Sequence, residues 1–267
     1  MAERFSFRVA LIGSGRLGTQ LAMALEKGGH RIAEIFNPSQ KSAEKLAYNL
    51  YSSQLVNSLD FSDSDCNFFI IAVPDEAIEQ VATEIVLPDE AIIVHTSGAT
   101  PMSILEVTAA ENFGVLWPLQ SFSRGATISF SQLPVIIEGA NDYTLEILNR
   151  VVASIGAEPV FMEEEERKNL HVAAVFASNF TNFMLRSAER VLEKDDISLD
   201  ILKPLVVETI RKAFEIGPEN AQTGPAARED FTTIDAQTLL LADDESLQRM
   251  YRMISQEIID SKYESDV

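Results

Sequence analysis

FRVALIGSGRLGTQLAMALEKGG, residues 7–29, is the stretch on which the reading of this chain turns. Phe7–Ile12 is a short apolar, β-prone run that stops at Gly13. From Leu17 to Lys27 the apolar residues Leu17, Leu21, Ala24 and Leu25 recur at helical spacing, and Gly28-Gly29 ends the pattern. Between the two lies a G-x-G-x-x-G hexapeptide, Gly13-Ser14-Gly15-Arg16-Leu17-Gly18. The first glycine permits a tight turn, the second lets a pyrophosphate approach the backbone, and the third lets helix and strand pack closely. The helix N-terminus then faces the anion. Alone the hexapeptide is a weak signal, and a glycine turn kept for packing would look the same. Here it opens a strand–helix alternation, the context in which it predicts dinucleotide binding.

That alternation runs on for about 160 of the 267 residues, a length that favours two domains or one large one. Arg31–Phe36 reads as a second strand, Ser42–Leu50 as a helix, and Asn67–Val73 as a strand buried on both faces. Glu76–Ile85 is helical, Ala91–His95 is a further strand, and Val135–Glu138 and Pro159–Phe161 flank a helix over Asp142–Ile155. The pattern predicts an α/β fold, a doubly wound sheet. After Phe161 the character changes. Glu163–Glu193 contains neither glycine nor proline and reads as one long helix, Leu199–Ile216 as another with Pro204 in its first turn, and the last helical region ends near Tyr263. The expected organisation is a dinucleotide-binding domain over 1–162 and an all-α domain over 163–267.

In an open α/β sheet, ligands bind beyond the carboxyl ends of the strands. At the end of the second strand an acid would hold the ribose 2′-hydroxyl of NAD and repel the 2′-phosphate of NADP. That position falls on the neutral Asn37, with Ser39 and Lys41 following and Arg16 in the glycine loop. These residues favour NADP over NAD, although Lys41 also reads as an ordinary solvated helix residue. Glu34 lies within the strand and is not the ribose ligand. Val73 and Pro74 end one buried strand; His95, Thr96, Ser97 and Gly98 end the next, offering two hydroxyls and one close backbone approach. His95 reads better as a structural residue beneath the loop than as a catalytic one.

On the long helix, at 100° per residue, His171, Ser178 and Asn182 fall on one stripe, flanked by Lys168 and Asn179, while Phe176, Phe180, Phe183 and Met184 occupy the other faces. So apolar a helix should be largely buried, with its polar stripe partnered or lining a cleft. A histidine there is either a satisfied buried residue or a proton donor.

Composition excludes several classes. Acids outnumber bases 41 to 21, a formal charge of −20, so the chain repels nucleic-acid backbones and anionic membranes. One cysteine and three histidines leave no disulfide framework and no expected metal site. No run is long and apolar enough to span a bilayer, and no signal peptide is read at the N-terminus, so the expected compartment is the cytoplasm. The Glu163–Glu166 acids suit the first turn of a helix.

With these residues in hand, the N-terminal half resembles the NADP-binding Rossmann domain of pyrroline-5-carboxylate reductases and β-hydroxyacid dehydrogenases. The whole chain more closely resembles an uncharacterised bacterial family of NADP-oxidoreductase-like proteins. The resemblance is carried by Gly13–Gly18, Ile71–Asp75, His95–Gly98, Pro118–Phe122, His171–Asn179 and Gly224–Asp230. It implies a helical domain like that of 6-phosphogluconate dehydrogenase, a homodimer formed through it, and an active site in the interdomain cleft. Where the family carries a histidine before Pro-Leu-Gln this chain has Trp117; Glu229 replaces a glycine, and Gln237 a later histidine. The expectation is an NADP-dependent oxidoreductase moving a hydride between nicotinamide and a small carbonyl, imine or alcohol substrate. His171 would donate or accept the proton, Asn179 and Ser97 would position substrate, and Lys168 would be a further catalytic candidate. Arg228 would clamp a carboxylate, or else pair with Asp230. A non-catalytic NADP-binding sensor or scaffold is the alternative.

Overall fold

The computed structural model describes residues 5–123 and 128–264. By its contacts the chain divides into two compact units, Met1–Ser178 and Asn179–Val267.

The first unit is built on β1 (Arg8–Ile12), α1 (Arg16–Lys27), β2 (Arg31–Phe36), α2 (Gln40–Ala47), β3 (Gln54–Val56), β4 (Phe68–Ile71), α3 (Asp75–Glu84) and β5 (Ile92–His95). A 3₁₀ segment over Met102–Thr108 follows, then β6 (Asn112–Pro118), β7 (Pro134–Gly139), α4 (Asp142–Ser154), β8 (Glu158–Phe161) and α5 (Glu164–Ala174). The eight strands form one sheet in the order β3-β2-β1-β4-β5-β6-β7-β8. Every neighbouring pair is parallel except β6–β7, which is antiparallel. The doubly wound expectation holds, and β3, β6 and the 3₁₀ segment are additions to it.

The alternation of side chains along buried strands splits the core into two layers. Val9 and Leu11 of β1 face Leu21 and Leu25 of α1 and join Leu148, Val151 and Val152 of α4 in one cluster. Ala10 and Ile12 face the opposite side, in a cluster with Ile78, Val81 and Ala82 of α3. At about 1.5–3 kcal/mol for each large aliphatic side chain removed from water, these two layers are the main support of the unit.

The chain order runs outward in one direction through β2 and β3 and in the other from β4 onward, so β1 and β4 flank the switch point. Their carboxyl ends, at Ile12 and Ile71, are therefore where a ligand crevice is expected.

The second unit is helical. A π-turn over Val175–Phe180 leads into α6 (Thr181–Leu192), followed by α7 (Lys203–Ile216), the short α8 (Pro218–Ala221), α9 (Phe231–Leu240) and α10 (Glu245–Glu264). Pro204 stands in the first turn of α7, where a missing N–H costs nothing. The change of character expected at residue 162 falls at the start of α5, although by contacts α5 stays with the first unit.

Two expectations about the long helix are corrected. The run from Glu164 to Leu192 is helical, but the π-turn interrupts it, so the 100° count does not carry from His171 across to Ser178, Asn179 and Asn182. Nor is the run buried. Within it only Arg167 and Ser187 are, while Phe176, Phe180, Phe183 and Met184 are exposed in the single chain.

Candidate active site

The glycine loop joins β1 to α1, and each glycine stands there for a different reason. Gly13 adopts φ +103°, and a Cβ on it would lie 2.4 Å from the Ala72 carbonyl oxygen beside the end of β4. A Cβ on Gly18 would lie 2.3 Å from the carbonyl oxygen of Gly13, so no other residue lets α1 come this close to the turn. Around Gly15 the situation is the reverse, because a Cβ there would meet nothing within 4 Å. Gly15 is the N-cap of α1; no side chain caps it and the first turn carries no acid. The first N–H groups and the positive end of the helix dipole are thus left for an external anion. The Ser14 hydroxyl beside them is buried with no hydrogen-bond partner. A group that must approach the backbone at Gly15 and bring acceptor oxygens to Ser14 and the helix N-terminus fits this cradle, and a dinucleotide pyrophosphate has that form.

Asn37 follows β2 directly and does more than present a neutral end. Its Oδ1 accepts the Ser14 N–H at 3.1 Å and its Nδ2 donates to the Ser39 carbonyl at 2.9 Å, so one amide ties the glycine loop to the start of α2. Ser39 and Lys41 are exposed beyond it. Arg16 is exposed as well, its Nη1 donating to the Phe122 carbonyl at 3.4 Å. Glu34 accepts from the Ser64 hydroxyl at 2.7 Å and takes no part in the loop. Val73 borders Gly13, and Pro74 caps α3.

The loop after β5 is the second half of the site. Thr96 is buried, its hydroxyl donating to the Ile71 carbonyl at 3.3 Å. The Ser97 hydroxyl oxygen accepts the N–H groups of Ala99 and Thr100 at 3.1 and 2.9 Å, which closes its own turn and leaves its hydrogen as the capacity for a ligand. His95 is wholly buried, and its Nδ1 accepts the Ser97 N–H at 3.2 Å. Burial, with the Arg167 charge adding to it, pushes its imidazole down to about 4. The ring is thus held neutral beneath the loop.

Trp117 is the penultimate residue of β6, and its ring meets His171 edge-on with centroids 5.5 Å apart. Both rest on Gly98, where a Cβ would lie 2.6 Å from Trp117 and 2.9 Å from His171. The structure thus brings His171 to the Ser97–Gly98 loop. Lys168, one turn earlier, pairs with Glu164 at 2.5 Å and holds that carboxyl below its usual range. Asn179 and Arg228 belong to the helical unit. Asn179 is exposed in the π-turn. Asp230 caps α9 by accepting from the Thr233 N–H and hydroxyl, and these bonds, with a smaller contribution from the Arg228 charge, hold its carboxyl below the usual range.

One residue of this site escapes the sequence reading. Arg167 lies in what looks like a solvated run, Glu163–Lys168, yet its side chain is fully buried and reaches the carbonyls of Ser97, Gly98 and Thr100. Nothing in the local sequence marks it.

With the geometry in place, comparison with known proteins locates the chain. A family model described as a Rossmann-like domain matches residues 2–118, and one described as a domain of unknown function (DUF2520) matches residues 133–258. A solved structure from Bacteroides fragilis, titled a "putative NADP oxidoreductase", is 34% identical, with 96% of this chain and 98% of that one covered at a TM-score of 0.88. The chain belongs to the family of that protein. Glycerol-3-phosphate dehydrogenase [NAD(P)+] of Bacillus velezensis is 30% identical over 115 residues, 38% of this chain and 33% of its own. The chain spans a third to a half of the length of the curated relatives that it matches first. A reductive aminase from Aspergillus terreus, solved with NADPH, shares the fold at 13% identity, with 96% and 95% covered and a TM-score of 0.72.

The neutral burial of His95 has a measurable consequence. Above its ordinary pKa of 6.5 the ring is neutral folded and unfolded, and its site contributes in full. As pH falls from there towards about 4, the unfolded chain takes up the proton first, and stability is lost. The loss amounts to about 3 kcal/mol at most. Urea unfolding at pH 7 and at pH 4.5 should show wild type losing more stability than His95→Asn, which keeps an acceptor for the Ser97 N–H but does not titrate. Parallel pH dependences would contradict the buried neutral ring.

Proposed function

We propose that this chain is an NADP-dependent oxidoreductase acting on a small carbonyl, imine or alcohol. The observation that carries the reading is the open face over Gly15, at an uncapped helix N-terminus beside an unpartnered Ser14 hydroxyl. Relatives and structural neighbours named as NAD(P)-dependent oxidoreductases support it. When bound, the nicotinamide supplies the hydride.

The chain's own residues bind, orient and protonate. The N–H groups at Gly15, Arg16 and Leu17 and the Ser14 hydroxyl would hold the pyrophosphate, with Gly13 and Gly18 giving the loop its shape. Asn37 sets no negative charge at the ribose, and Ser39, Lys41 and Arg16 meet a 2′-phosphate. Val73, Pro74 and Thr96 would line the cofactor site, and Ser97 would orient the substrate. There His171 would hold the proton for the substrate oxygen or nitrogen, giving it in reduction and taking it back in the reverse direction. Lys168 stands one turn away, paired with Glu164. In the helical unit, Arg228 carries a guanidinium able to take a carboxylate in bidentate fashion, and Asn179 an exposed amide for a substrate polar group. A single cysteine, Cys66, leaves no internal disulfide framework, which suits a reducing, cytoplasmic setting.

Calorimetry tests the cofactor choice. NADPH is expected to bind several-fold more tightly than NADH. Asn37→Asp should reverse that order by setting a carboxylate against the 2′-phosphate, and Gly15→Val should abolish both affinities without unfolding the chain. A wild type that prefers NADH would end the NADP assignment.

We also infer that a second copy of the chain covers the helical unit. Helix α7 buries none of its residues, and its Leu205, Val207 and Phe214 are 64%, 60% and 87% exposed. Phe231, Leu239 and Leu240 of α9 are exposed as well, and large apolar side chains left in water along two helices are the kind of surface a second copy covers. Sedimentation equilibrium at micromolar concentration should give a homodimer, and Phe214→Glu a monomer. A monomeric wild type would contradict the inference.

A further inference from the structure

Arg167 is the largest fully buried side chain in the molecule among the described residues. Its Nη1 donates to three carbonyl oxygens, those of Ser97 at 3.3 Å, Gly98 at 3.1 Å and Thr100 at 2.9 Å. On its other edge Nε donates to Glu138 at 3.1 Å, while Nη2 lies 3.0 Å from the same oxygen but off the line of a hydrogen bond. Burial pushes the Glu138 carboxyl above its usual range despite the guanidinium beside it. Such a pair is poor value as a source of stability, since apolar side chains of the same volume often serve a buried site equally well. Its geometry is the more telling feature. One guanidinium joins α5, the end of β7 and the loop after β5.

The hydrogen bonds of that loop can be counted in full. The N–H of Thr96 donates to Ile71, that of Ser97 to His95, and those of Ala99 and Thr100 to the Ser97 hydroxyl. Only the Gly98 N–H has no partner among the described residues. In a trans peptide the N–H points opposite to the C=O. Because the Ser97 carbonyl is turned to Arg167, the Gly98 N–H is turned away from it. The same peptide carries the Cα on which Trp117 and His171 rest.

We propose that Arg167 is a positioning residue of this site. By gathering the carbonyls of residues 97, 98 and 100 it fixes the direction of the free Gly98 N–H and the platform under His171 and Trp117. The inference rests on the oxidoreductase reading for its consequence, since the loop it shapes is the one assigned to substrate.

Arg167→Lys tests it. Lysine keeps the charge but has no fork, and one ammonium cannot serve three carbonyls and Glu138 together. Trp117 is the only tryptophan, so its fluorescence reports on the platform without any ligand. Acrylamide quenching of Trp117 is expected to rise by about two-fold or more under native conditions, as close packing over Gly98 is lost. The kcat on whichever keto acid or imine the wild type reduces should fall by about ten- to a hundred-fold. NADPH affinity should hold, because the glycine loop is untouched. A merely structural role would lower the melting temperature and leave native-state quenching and kcat alone; that result in a folded Arg167→Lys overturns the proposal, as does a raised quenching with unchanged kcat. If Arg167→Lys does not fold, Glu138→Gln is read by the same measurements. A wild type that binds NADPH but reduces nothing would defeat the oxidoreductase reading; the quenching arm alone then decides whether Arg167 sets the loop.

Discussion

The approach of α1 to the end of β1 is the contact on which the rest of the first unit depends. A Cβ at Gly18 would stand 2.3 Å from the Gly13 carbonyl, and one at Gly13 2.4 Å from that of Ala72. These two clearances bring the helix N-terminus down onto the switch point between β1 and β4. The N-terminus then faces outward at Gly15, where the space is open. A helix held a few ångströms further out would leave its dipole and its free N–H groups too far from any bound anion to matter. Close packing and an open helix N-terminus are therefore one constraint here, expressed at three glycines.

A second fixed point answers it across the ends of the strands. Asn37 ties the glycine loop to the start of α2 with a neutral amide, and Arg167 ties the loop after β5 to α5 and β7 with a charged guanidinium. Each shapes its loop through backbone groups. The side chains assigned to chemistry, His171 above all, sit on surfaces that these two residues hold in place.

Much of the fold was legible because its signals are local. Continuous apolar runs such as Phe68–Ile71 and Ile92–His95 identify doubly covered strands, and the glycine spacing identifies the turn. β6 was not, because Gly114 and Pro118 break its pattern; Gly114 lies where a Cβ would meet the Glu138 carbonyl at 2.4 Å, a demand made by the antiparallel partner and invisible locally. The candidate site divides in the same way. Residues of the glycine loop and of His95–Gly98 follow from strand ends, whereas Arg167 takes its meaning from carbonyls about 70 positions earlier in the chain. The stripe on the long helix was read with an α-helical angle that the π-turn at Val175–Phe180 interrupts. The exposed aromatic residues at its end and beyond it, Phe180 and Phe183, show that apolar content signals a surface to be covered as readily as a core.

The account stands or falls on whether the Gly98 platform is a place of proton transfer to a reducible substrate. The most direct measurement is NADPH oxidation by wild type and His171→Ala over a panel of small keto acids and imines, with melting temperature and NADPH affinity measured alongside. The account predicts that wild type turns over at least one member, and that His171→Ala is slower by about 10²–10⁴-fold with affinity and melting temperature retained. A variant as fast as wild type, or one that loses activity only in step with its stability, would contradict it.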